Sequence, residues 1–261
     1  MISNSSLNII NILERRKKIM KNNIKYFFRG VPDNTKFMVF GLSHILILIL
    51  STFISYIMIN NKKEKRKYEV FIGLVLIIQQ LFLYIWYITS NYDILTKGLP
   101  LYHCRIAILS LSIGLIFNKI KYMKLGAYWG IVGATIALLI PVDVDPFLFP
   151  HITTISFFVG HMFLLWGSVY VLYVKKIKIT KTDLKKILSF TNMYCIFIYI
   201  FNHITNSNYG FMNSSPIQIG NNLNDFIYGA IVILISNLVI NIIYVLLNIT
   251  TKEKQELAIA D

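Results

Sequence analysis

Acidic side chains are scarce in this sequence, which sets 12 Asp and Glu against 26 Lys and Arg in 261 residues. None of them falls within a long apolar run, and the intramembrane carboxylate pairs that mark many ion-coupled pathways are therefore missing. Charged residues of both signs amount to only 15%, while 56% of the chain is hydrophobic and the mean hydropathy is +0.60. So few charges leave too much apolar surface for water to solvate, which excludes a soluble globular domain. Also lacking are an internal repeat of the kind that inverted-repeat transporters carry, an HxxxH spacing, and an apolar h-region with a cleavage site before Phe37. Cysteine occurs twice, at Cys104 and Cys195.

The apolar runs themselves are abundant. Seven approach the roughly 20 residues a helix needs to cross a hydrocarbon core about 30 Å thick. They run from about Phe37 to Asn60, Val70 to Ser90, Leu101 to Asn118, Leu125 to Val142, Ile152 to Val174, Ile187 to Thr205 and Phe226 to Asn248. The expected fold is an all-α polytopic membrane bundle of about seven helices, with the third, fourth and sixth near the short limit, so that one of these could be re-entrant. Three parts follow: a basic N-terminal tail at 1–36, a helical domain at 37–248 and a C-terminal tail at 249–261.

Lys and Arg set the direction, because basic short loops stay cytoplasmic. Sixteen gather on one side, among them Lys62, Lys63, Lys65, Arg66 and Lys67, then Lys119, Lys121 and Lys124, then the six lysines from Lys175 to Lys186, with Lys252 and Lys254 in the tail. The opposite inter-helix loops hold Lys97, with Arg105 just inside the third run, against Asp93, Asp143, Asp145 and Asp225. The C-terminus is expected in the cytoplasm and the N-terminus outside, in a multi-pass protein of the cell membrane. Eight basic residues before Phe37 break the pattern; either this tail lies along anionic lipid or Met20 is the true start. The basic residues, divided among short loops, make no aromatic-interleaved patch for nucleic acid.

Histidine and proline collect on the outer side. His44, His103, His151, His161 and His203 all fall in the outer half or near the midplane, and Pro32, Pro100, Pro141, Pro146, Pro150 and Pro216 lie in outer segments. The densest constellation is Leu-Pro-Leu-Tyr-His-Cys-Arg at 99–105. There His103, Ala107, Ser110 and Gly114 share a small polar face directed into the bundle. Arg105 is expected to snorkel to headgroups or to pair with an acid such as Asp93. A cation and imidazoles beside Cys104 are conditions that make a thiolate available, at the depth of phospholipid ester carbonyls. His161, about 15 Å deep after Gly160, is an ionisable group in an otherwise apolar span. Blander roles suit the rest: Cys195 as apolar filler, Gln79, Gln80, Asn237 and Asn241 as interhelical hydrogen bonders, Gly126 to Gly130 as a GxxxG packing match, and Tyr84, Trp86, Tyr87 and Phe147 as interfacial anchors. A metal held by His103, His151 and His161 lacks a carboxylate nearby, and no metal or cofactor is expected.

Phe-Gly-Leu-Ser-His at 40–44, Leu-Pro-Leu-Tyr-His-Cys at 99–104, Tyr-Trp-Gly at 128–130, Phe-Pro-His at 149–151, Gly-His at 160–161 and Asn-Tyr-Gly at 208–210 occur in that order. In this set the chain resembles the YwaF-like bacterial integral membrane proteins, relatives of the eukaryotic transmembrane protein 164 family, over about Phe37 to Asn248. The resemblance implies seven helices and a lipid acyltransferase whose membrane cysteine maps onto Cys104 and whose Gly-His histidine maps onto His161. Many of these relatives carry histidine where Tyr102 stands; here it is one residue along, so His161 comes first and His103 second as base. Substrate contacts are expected from His44, Arg105, His151, Asn208 and Tyr209, with membrane phospholipids as partners. The competing expectation is a transporter, channel or sensor with an outward-facing, histidine-lined site.

Overall fold

A computed structural model describes residues 21–33, 37–142, 144–217, 219 and 223–260, with 250–260 described by their backbone only. Arg15, Arg16, Lys17, Lys18, Met20, Lys36 and Asp143 lie outside the described residues. All regular structure among the described residues is helical. A short helix, α1, covers 21–27. After it come α2 (Leu42–Asn61), α3 (Arg66–Thr89), α4 (His103–Phe117), α5 (Ile120–Leu139), α6 (Ile152–Val169), α7 (Lys181–Thr205) and α8 (Asp225–Ala260). A π-helical turn, Tyr170–Val174, extends α6, and another, Ile94–Gly98, precedes α4.

Among the described residues six helices are long and apolar enough to cross a membrane, and α4, at 15 residues, is shorter. Of the three runs near the short limit, the fourth and sixth extend toward their lysine-rich ends, to 20 and 25 residues. The third does not. At about 1.5 Å per residue α4 spans roughly 22 Å, and Pro100 lies in the irregular chain that leads into it.

The helices alternate in direction, so one end of the bundle gathers the prolines and the other the lysine-rich loops. Helices α3 to α6 pack as the core. Close approach comes from small residues: a Cβ on Gly126 would stand 2.5 Å from the Leu111 backbone nitrogen, and one on Gly114 would stand 2.6 Å from that of Met123. Gly130 likewise presses on Ser168 and Leu164 of α6. Glycine is about 1 kcal/mol worse than alanine inside a helix, a cost these contacts offset with dispersion between backbones. Ala107 and Ser110 are buried, with Ser110 Oγ donating to the Tyr122 carbonyl at 3.0 Å, so the small polar face of α4 does point inward.

Ionic contacts tie the lysine end. Glu69, 3% exposed, accepts from Arg66 at 2.7 Å and from Lys175 at 2.6 Å, and Arg66 also caps the carbonyls of Leu115 and Ile116. Lys124 pairs with Asp183 at 2.6 Å. Helix α7 packs on α8, where Asn192 and Asn237 exchange amide hydrogen bonds. Asn241 instead donates to its own helix, at the Asn237 carbonyl. Gln79 receives a bond from Ser156 of α6 at 2.5 Å, and Cys195 is fully buried in the core.

At the proline end, part of the basic tail is docked. Arg29 bonds the carbonyls of Leu148 and Pro150 and pairs with Asp33, whose carboxylate accepts from the Leu148 amide at 2.8 Å. Trp86 and Tyr87, expected as interfacial anchors, are buried instead. The docked segment and the 141–151 loop cover them, and Phe147 joins them in a second small core.

Candidate functional site

A cavity of about 1040 Å³ lies between the four-helix core and the α7–α8 pair, near the proline end. Cys104, His103 and His161, the three expected reactive residues, all line it, with Arg105 and Asn208. The chain reaches this site through irregular backbone at 94–102, permissible in a membrane only where its polar groups are satisfied. Side chains supply donors to the carbonyls of Ile94, Leu95, Lys97, Gly98, Leu99 and Leu101. Arg105 Nη1 bonds those of Lys97, Gly98 and Leu99 at 3.2, 2.7 and 3.0 Å. The Tyr209 hydroxyl accepts from the Leu99 amide at 3.0 Å and shares its proton between the Ile94 and Leu95 carbonyls, while Tyr194 donates to Leu101 at 2.5 Å.

Arg105 therefore neither snorkels nor pairs with Asp93. Its other nitrogen bonds the Tyr87 hydroxyl at 2.5 Å, and no carboxylate pairs with it among the described residues. Asp93 turns back on Thr96, whose backbone amide it accepts at 3.0 Å, and those bonds hold its carboxyl below the usual range. The fork geometry of guanidinium suits several closely spaced carbonyls better than a single headgroup contact does.

The two histidines differ in their surroundings. His161 Nδ1 faces the Phe157 carbonyl at 2.7 Å, which can only accept, so the proton sits on Nδ1 and the lone pair on Nε2. Nε2 is buried without a hydrogen-bond partner. His103, first residue of α4, packs against Trp129 and Tyr194 with ring centroids 5.1 and 4.5 Å away. Its Nδ1 stands 3.5 Å from the Tyr194 hydroxyl. Gly210, at φ +62°, passes so close that a Cβ there would stand 3.2 Å from His103 Cε1.

Levels across the bundle agree. Helices α4 and α6 run the same way and meet where a Cβ on Gly167 would stand 2.8 Å from the Leu111 side chain. From that contact Cys104 lies seven residues toward the proline end and His161 six, about 10 Å and about 9 Å. Sulfur and imidazole thus belong to one stratum of the cavity wall.

Three expected contact residues are not brought to the cavity. His44 accepts from the Phe40 amide at 2.9 Å and donates to the Leu138 carbonyl at 2.7 Å, which joins α2 to α5. His151 is stacked 3.8 Å from Phe147 and donates to the Arg29 carbonyl at 3.0 Å. Tyr209 is buried beneath the loop it secures. Asn208, although on the wall, folds its amide onto Ser214 at 2.9 Å.

Two lining residues carried no sequence signal of their own. The Tyr128 hydroxyl is buried and without a hydrogen-bond partner, and only its place in Tyr-Trp-Gly could have drawn notice. Gly133 reads as a third helical glycine, yet a Cβ there would meet nothing within 4 Å. Among the described residues no group of three His, Cys, Asp or Glu side chains could hold a metal.

No curated protein and no solved structure matches the chain. A family model described as the TMEM164 family matches residues 34–250, from just before α2 to the far end of its apolar run in α8. By that match over most of its length, the chain belongs to the TMEM164 family.

Proposed function

We propose that this membrane protein is a lipid acyltransferase in which Cys104 is the nucleophile and His161 the base. The observation that carries the reading is the shared cavity wall, where Cys104 lies level with an imidazole whose Nε2 is buried and unpartnered. In the first half-reaction the Cys104 sulfur attacks a lipid ester carbonyl as Nε2 takes the thiol proton. The acyl C–O bond then breaks, the imidazolium returns the proton to the departing alkoxide, and a thioester remains on Cys104. In the second, an acceptor hydroxyl loses its proton to Nε2, attacks the thioester and restores the thiol.

Charge placement favours such an intermediate. Cys104 stands in the first turn of α4, the end at which the helix dipole carries partial positive charge. Arg105 follows it and also lines the cavity. His103 is the second candidate base, and Arg105 and Asn208 are the candidate contacts for the glycerol and headgroup portion. The lysine-rich loops favour a cytoplasmic C-terminus, which opens the cavity toward the outer leaflet of the cell membrane. A phospholipid then suits the site better than cytoplasmic acyl-CoA as donor.

The test uses purified full-length protein in nanodiscs holding a fluorescent-acyl phosphatidylcholine and an unlabelled lysolipid. The expected result is a hydroxylamine-sensitive fluorescent adduct and labelled product, both lost in Cys104→Ala. Equal product from Cys104→Ala overturns the mechanism. Absence of both adduct and product in the wild type overturns the enzyme and returns the histidine-lined cavity to the transporter, channel or sensor class.

A further inference from the structure

Helix α5 carries glycine at 126, 130 and 133, and the three have different neighbours. Side chains at the first two positions would collide with α4 and α6, whereas one at 133 would meet open space. Helix packing therefore accounts for Gly126 and Gly130 but not for Gly133. What Gly133 does border is the cavity. Seven residues from the contact between Gly126 and Leu111, it stands at the level of Cys104, which is also seven residues from that contact.

The walls around it are apolar. Val132 and Ile136 on α5 and Ile235 and Val239 on α8 line the same space, and no charged side chain on either helix does. Ile136 and Ile235, both bordering the cavity, are 56% and 55% exposed. Helices α5 and α8 make few contacts with each other, so packing does not close the space between them. Helix α8 packs chiefly on α7 and leaves this seam unfilled. Tyr128 and His161, whose hydroxyl and Nε2 are buried and unpartnered, line the same cavity. The volume of about 1040 Å³ sits at the top of the roughly 300–1,000 Å³ range of small-molecule pockets.

We infer that Gly133 keeps open an apolar slot between α5 and α8 that admits the acyl chain of a bilayer lipid, and that the size of residue 133 determines which chains enter. An open apolar wall continuous with the hydrocarbon takes a chain without removing it from its solvent. The buried polar atoms of the residues along the cavity suit the ester that the chain carries. Placement of that ester beside Cys104 rests on the acyl-transfer reading; occupancy of the slot does not.

The test is photo-crosslinking of the full-length protein in nanodiscs with a phosphatidylcholine bearing a diazirine near the end of one acyl chain. Wild type and Gly133→Ala are expected to crosslink at 132–140 and 235–240. Gly133→Phe should lose that signal by about tenfold or more, with a thermal midpoint no lower than that of the wild type because the new ring enters open space. If Gly133→Phe does not fold, Gly133→Leu serves, with a graded loss that is greater for branched or longer chains. Undiminished crosslinking in the bulky variant, or wild-type crosslinking no stronger there than on the lipid-facing side of α2, overturns the slot. Crosslinking that depends on residue 133 in a protein that transfers no acyl group leaves the slot standing and removes the acyltransferase. Transfer whose rate and chain selectivity ignore residue 133 does the reverse.

Discussion

His161 Nδ1 donates to the carbonyl oxygen of Phe157, 2.7 Å away and one turn earlier on α6. That bond fixes the tautomer and leaves Nε2, buried and unpartnered, as the basic nitrogen at the cavity. Replacing His161 by Gln is expected to slow acyl transfer by about 10²- to 10⁴-fold, with the adduct on Cys104 lost in parallel. His103→Gln should have the smaller effect on initial rate, because His103 Nδ1 is turned toward Tyr194 and its ring is held between Trp129 and Tyr194. Initial rates of the two variants in the same nanodiscs decide between them; a larger loss from His103→Gln would exchange their roles.

The glycines of α5 give a contrast in stability. Gly126→Ala pushes a methyl into the Leu111 backbone and is expected to destabilise by about 1–3 kcal/mol. Gly133→Ala adds the same methyl to open space and gains helix propensity, about 1 kcal/mol. Thermal unfolding of both in one detergent should shift the midpoint in opposite directions.

Arg105 holds together the irregular entry to α4. Arg105→Lys keeps the charge but cannot reach the carbonyls of Lys97, Gly98 and Leu99 together. A loss of about 1–3 kcal/mol is expected, with faster hydrogen exchange at the amides of 94–102. Unchanged exchange there would show that Tyr209 and Tyr194 suffice to hold the loop.

Docking of 21–33 should depend on pH. Burial pushes His151 down to about 4 from an ordinary 6.5, so the imidazole is neutral when the segment is docked. The undocked or unfolded chain binds the proton more readily, and the stabilisation is therefore complete above about pH 6.5 and lost as pH falls toward 4. Asp33 acts in the same sense: its hydrogen bond from Arg29 holds the carboxyl below the usual range, so its contribution is lost as pH falls through that lowered value. Asp145, raised by burial, works oppositely, its contribution present in acid and lost as pH rises through its folded value. Limited proteolysis at 21–33 should increase between pH 6.5 and 4, and His151→Gln should flatten that step.

Much of the architecture was legible in composition. Apolar runs without carboxylates fix helices in a membrane, because spanning demands both length and the absence of charge, and the fifth run matches α6 with its π-turn at both ends. The small face of α4 was legible for a related reason: helical periodicity alone aligns Ala107, Ser110 and Gly114. Trp86 and Tyr87 were misread as interfacial anchors because nothing local announces that a segment more than fifty residues earlier covers them.

The site divides in the same way. By itself the sequence determined that the chain is an all-helical membrane protein, and counting residues along each run put His161 about 15 Å deep and Cys104 nearer the surface; the contact of Gly167 with Leu111 brings the two to one level instead. Only the tertiary structure decided that both face one cavity, that His44, His151 and Tyr209 do not, that Arg105 serves backbone carbonyls, and that Gly133 borders open space. Those facts depend on rotation about each helix axis and on how far α7 and α8 stand from the core. Contacts between residues distant in sequence set both, and no local pattern encodes them.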